Sequence, residues 1–100
     1  MDKRIVDDNR RHLQALLRQI REDAHLHQSD VARHLGRPQS FVSKYETGER
    51  RLDIVELRYV CEALGISLQE FVRRFEESLG NEASGPFSAS AQAFLGECSD

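Results

Sequence analysis

A chain of 100 residues, 39% hydrophobic and 31% charged, holds one small core and is too short for a multi-domain enzyme around a large closed cleft. No apolar stretch approaches the ~18 residues of a membrane span, and the charged start Met1-Asp2-Lys3-Arg4-Ile5-Val6-Asp7-Asp8 lacks the apolar segment of a signal peptide. The formal charge of −3 hides a polarity: residues 28–51 carry five Lys/Arg against three Asp/Glu, whereas residues 52–79 carry three against six.

The elements, taken in chain order, are helices. No alternating β-branched run is long enough for a strand, and apolar residues recur at three- and four-residue steps. Leu13, Leu16, Leu17 and Ile20 mark a first helix over about 8–23. Val31, Ala32 and Leu35 mark a short second one, with Gly36 as its left-handed cap. A third runs from about Pro38 to Thr47 and carries Phe41, Val42 and Tyr45, with Gly48 at its end. Pro38 suits a first turn, where its missing N–H costs nothing. Asp53 and Glu56 form a capping-box pattern for a fourth helix, with the stripe Ile54, Leu57, Val60, Cys61 and Leu64 and a stop at Gly65. Ser67 and Glu70 repeat that signal for a fifth helix over about 68–79, with apolar positions Leu68, Phe71, Val72, Phe75 and Leu79. Residues 80–100 read as a linker and tail without Lys or Arg. The tail is either disordered or a short arm built on Phe87, Ala91, Phe94 and Leu95.

The second and third helices carry the functional signal. Each is about two turns long, and only a Gly-containing turn separates them, which makes the two cross steeply as in a helix-turn-helix. The third has one apolar edge; Gln39, Ser40, Ser43 and Lys44 occupy the remainder. Such a face suits the major groove: Gln can pair bidentately with adenine, Ser can bond either base edge, and Lys reaches guanine or a phosphate.

The run from Gln28 to Arg51, with Gln28, Ala32, Gly36, Val42 and Tyr45-Glu46-x-Gly48 in register, resembles the Cro/C1 helix-turn-helix of the Xre family. The likeness covers about residues 10–72 and includes Asp53 to Leu68. It implies an all-α, five-helix, lambda-repressor-like DNA-binding domain over residues 1–79, acting as a dimeric transcriptional regulator; composition and cysteine usage independently lead one to expect a cytoplasmic protein. The resemblance also implies roles. Gln28 contacts a phosphate beside a helix N-terminus; Gln39, Ser40, Ser43 and Lys44 face bases; Arg50 and Arg51 contact the backbone; Arg21 and Glu46 form an ion pair joining the first helix to the end of the third. Two positions depart from the family pattern. His27 stands where a Ser/Thr cap is usual, which weakens that helix start. Phe41 replaces a smaller residue and either touches a thymine methyl or packs on the second helix, with packing favoured.

Other chemistry finds little support. Cys61 and Cys98 are far apart and outside any CxxC spacing, so a disulfide framework and a four-ligand zinc site are unsupported. His25, His27 and His34 have no Cys or carboxylate cluster to complete a metal site. Ser40 and Ser43 lack any nucleophile elbow, so neither an enzyme nor a cofactor is expected. Cys61 reads as a core thiol. On the fifth helix, Val72, Phe75 and Leu79 extend beyond the core and are expected to form a homodimer contact, unless Phe94 and Leu95 fold back over them. Two functions follow. One is a regulator, expected to be a repressor, binding double-stranded DNA. The other is an interaction module of the same fold, such as an antitoxin or an anti-repressor partner.

Overall fold

The computed structural model describes residues 1–82, with side chains through residue 80; the expected tail, including Phe87, Ala91, Phe94 and Leu95, lies outside the described residues. The all-α expectation holds. Five helices follow one another: α1 (Lys3–Asp23), α2 (Gln28–Leu35), α3 (Gln39–Thr47), α4 (Ile54–Leu64) and α5 (Leu68–Glu82). None of the described helices is long and apolar enough to cross a membrane.

Two boundaries differ from the sequence reading. α1 starts five residues before the expected position 8. Its opening turns hold only the adjacent pair Ile5 and Val6, with no apolar residue three or four positions on, so they carry little helical periodicity. The Asp2 side chain instead caps them by accepting from the Arg4 N–H at 2.9 Å, and Arg11 pairs with Asp8 at 2.9 Å across one turn. α5 continues past residue 79 to Glu82. A glycine stops a helix when it turns left-handed, and Gly80 keeps a negative φ.

The core gathers one or more residues from each helix: Leu17 and Ile20, Val31 and Ala32, Phe41, Val42 and Tyr45, Leu57, Val60, Cys61 and Leu64, and Phe71. α2 packs on α3 and α4, while α1 contacts α3 and α5. Burial alone pushes the Cys61 thiol up to about 11, which suits an inert core side chain. Ile54 departs from its expected place on the stripe and is 62% exposed. It is the first residue of α4, ahead of the turn that reaches the core.

The helix starts use different devices. At α4, Asp53 Oδ1 accepts from the Glu56 N–H at 2.7 Å and Glu56 Oε1 accepts from the Asp53 N–H at 3.1 Å. At α2 the His27 side chain makes no cap bond, but Asp30 Oδ2 reaches back to the His27 N–H at 2.8 Å. At α5 the Ser67 hydroxyl accepts from the Glu70 N–H, while the Glu70 carboxylate turns to Arg73 and Arg74.

Gly36 (φ +66) and Gly48 (φ +90) close α2 and α3 in a conformation that costs a residue bearing Cβ roughly 1–2 kcal/mol. A Cβ on Gly36 meets nothing within 4 Å, whereas one on Gly48 falls 2.8 Å from Gln14 Nε2. Gly36→Ala is therefore expected to lose about 1 kcal/mol in urea unfolding. Gly48→Ala should lose more, since Gln14 must also move.

Candidate nucleic-acid interface

The site grows from the three residues between α2 and α3. Gly36 takes the left-handed turn, the Arg37 N–H donates back to the Ala32 carbonyl at 3.0 Å, and Pro38 holds φ at −63° as the N-cap of α3. α3 is thereby docked with Phe41, Val42 and Tyr45 inward. Gln39, Ser40 and Lys44 are exposed and Ser43 is half-buried, so the four expected base-facing residues lie outside the packed edge.

Behind this face lies a connected set of charges and amides. The Arg21 guanidinium donates to the Glu46 carboxylate at 2.7 and 3.1 Å, with side chains only 11% and 3% exposed, and also to the Leu26 carbonyl at 2.8 Å. The bond to Glu46 holds the Arg21 pKa above its ordinary value, against the opposing effect of burial. Gln28 Nε2 then donates to Glu46 Oε1 at 3.1 Å, and Gln28 Oε1 accepts from Gln39 Nε2 at 3.4 Å. The carboxylate sets the polarity of the whole chain. It can only accept, so the Gln28 NH₂ must face it, and the Gln28 oxygen is left for the Gln39 NH₂.

A second cluster surrounds Phe41. Its ring is buried and meets Tyr45 edge-on, with centroids 5.7 Å apart and planes at 80°. The guanidinium groups of Arg37 and Arg50 lie over it, 4.8 and 4.9 Å from the centroid. Arg50 also pairs through Nη2 with Glu56, while its Nε is buried without a partner. Arg51 is exposed and unpaired. Burial raises the Tyr45 pKa, and its hydroxyl has no hydrogen-bond partner.

The charge pattern adds to this geometry. Of the 14 Lys and Arg side chains, eight sit in ion pairs among the described residues. The other six are Lys3, Arg4, Arg37, Lys44, Arg51 and Arg58. Three of these six flank or stand on α3, so positive charge left uncompensated concentrates there. Sequence reasoning passed over Arg37. Its place directly before the Pro38 cap was the signal available.

On α5 the expected contact residues divide. Val72 is 39% exposed, but Phe75 packs against the domain's own core and Leu79 is half-buried. Larger apolar exposure occurs on α4, at Ile54, Val55 and Tyr59.

The family model of the helix-turn-helix domain matches residues 12–73. Among solved structures, the chain is similar to an XRE-family like protein from Pseudomonas syringae pv. tomato str. DC3000. That match has 38% identity and a TM-score of 0.72, covering 76% of this chain and 93% of the other. It shares its fold with a mutant of the restriction-modification controller protein C.Esp1396I, at 21% identity and a TM-score of 0.66, covering 71% of this chain and 90% of that one. No curated protein sequence matches the chain.

Arg21→Ala is expected to cost about 3–5 kcal/mol, because it strands the Glu46 carboxylate in the interior. Arg21→Met combined with Glu46→Leu should recover most of that loss. Chemical denaturation of the single and double variants checks both outcomes.

Proposed function

This chain belongs to the XRE-like family of helix-turn-helix domains, and from that membership we propose that it is a sequence-specific regulator, a dimeric repressor that inserts α3 into the major groove of a palindromic operator. The observation that carries the reading is the hydrogen-bonded chain ending at Gln39. One N–H of the Gln39 amide is engaged by Gln28, which leaves its oxygen and a second N–H for a base. That remaining pair matches the N6 and N7 edge of adenine. Gln28 likewise keeps one N–H for a phosphate. Ser40, Ser43 and Lys44 complete the base-facing set, and Arg50 and Arg51 serve the backbone. Arg51 is the freer of the two, since Glu56 already occupies one Arg50 nitrogen.

The test is operator selection from a randomised duplex library. Wild type should yield a palindromic motif, and Gln39→Ala should lose preference at one position per half-site, equivalent to ~1–3 kcal/mol of discrimination. Affinity for random DNA should barely change. Identical motifs from both proteins would transfer the readout to Ser40, Ser43 or Lys44. A wild type that selects no motif would favour the interaction-module reading, for which exposed Ile54, Val55 and Tyr59 supply a surface.

For the dimer, Val72 is the informative position on α5. A charge at Phe75 would strike the core instead. Val72→Glu is expected to sediment as a monomer with unchanged helical circular dichroism. A dimer that survives the change would relocate the contact to α4.

A further inference from the structure

We propose that Arg37 is a phosphate-contacting residue for duplex DNA and that Phe41 is the positioning residue that holds it, an inference that rests on the DNA-binding reading above. The guanidinium of Arg37 lies 4.8 Å from the centre of the Phe41 ring. Attraction of the cation to the ring takes up no hydrogen-bond acceptor, so most of the five guanidinium N–H groups remain free to donate. Those donors form the planar fork that suits a phosphate's oxygens. No carboxylate among the described residues pairs with Arg37, and its side chain is exposed.

Arg50 provides the internal comparison. It lies over the same ring at a similar distance, yet Glu56 compensates its charge. The two arginines therefore differ in what they offer a ligand. Glu56 occupies one nitrogen of Arg50 and leaves it fewer donors for a phosphate, whereas Arg37 presents an uncompensated cation.

Both ends of Arg37 are fixed. Its N–H is bonded to the Ala32 carbonyl at 3.0 Å, and Pro38 restricts the backbone that follows. The ring beneath its head group is immobilised by burial and by the Tyr45 edge. A side chain anchored in this way loses less freedom on binding than a solvated arginine does. It stands two residues before Gln39, at the end of α3 where unpaired N–H groups also favour an anion. A phosphate held here would set the depth and register of α3 without reading sequence.

The experiment measures binding of a random-sequence duplex pool by fluorescence anisotropy across a salt series, so no operator is needed. Arg37→Ala should flatten the slope of log K against log salt by about one, as expected when one phosphate is no longer neutralised. Arg37→Lys should restore that slope. Phe41→Leu keeps every charge, so it should keep the wild-type slope while binding several-fold more weakly. An Arg37→Ala protein with wild-type slope and affinity would overturn the assignment of Arg37. A folded Phe41→Leu protein with unchanged affinity would overturn the role of the ring. If Phe41→Leu fails to fold, the exposed Arg37→Ala variant decides alone. A wild type that binds no duplex at any salt would remove the DNA-binding reading itself, and this inference with it.

Discussion

The buried pair of Arg21 and Glu46 is the constraint on which the rest of the site depends. Pairs of this kind contribute little net stability, because desolvating two charges offsets most of their attraction. Their value lies in geometry. Glu46 is near the end of α3 and Arg21 near the end of α1, so the bidentate contact fixes α3 against the 21-residue α1. The same carboxylate orients Gln28, and Gln28 orients Gln39. A polar device in the interior thus determines which hydrogen-bonding groups reach the outer face. An apolar replacement could keep α3 packed but could not transmit that polarity.

Much of the fold was legible because local signals and global packing agree. The glycines after α2 and α3, the Asp53–Glu56 box and the stripe Leu57, Val60, Cys61 and Leu64 of α4 each give one answer, and it is the one adopted. The misreadings have physical causes. The first turns of α1 are held by a cap and by charge pairs, which apolar periodicity does not record. The composition change at Gly80 marks the start of the expected linker, although sequence alone does not fix the sign of its φ. Ile54 fits the stripe by spacing but precedes the point where α4 meets the core.

The site was legible in a different way. Family register placed Gln28 and Gln39 singly and Arg21 with Glu46 as a pair, but nothing in the spacing shows that the four form one connected chain. The fate of Phe41 was half visible: a large apolar residue is expected to pack, and it does. That two guanidinium groups would lie over its ring depends on how the turn before α3 and the loop after it fold back. Those are tertiary facts. The overall negative charge is similarly uninformative until pairing is known, since carboxylates elsewhere neutralise most of the arginines and leave the cations around α3 open.

The placement of Phe71 has a consequence for the order in which the chain assembles. It is the buried aromatic of α5, 1% exposed, and α5 rests on α1 and α4. A chain emerging from the ribosome releases α1 to α4 first, complete with the Arg21–Glu46 contact and the α2–α3 turn. The recognition element can therefore form while the aromatic plug is still inside the exit tunnel. Until that plug arrives, the nascent domain carries an open apolar socket. Burial of Phe71 is thus the step that closes the apolar surface α1 to α4 leave open.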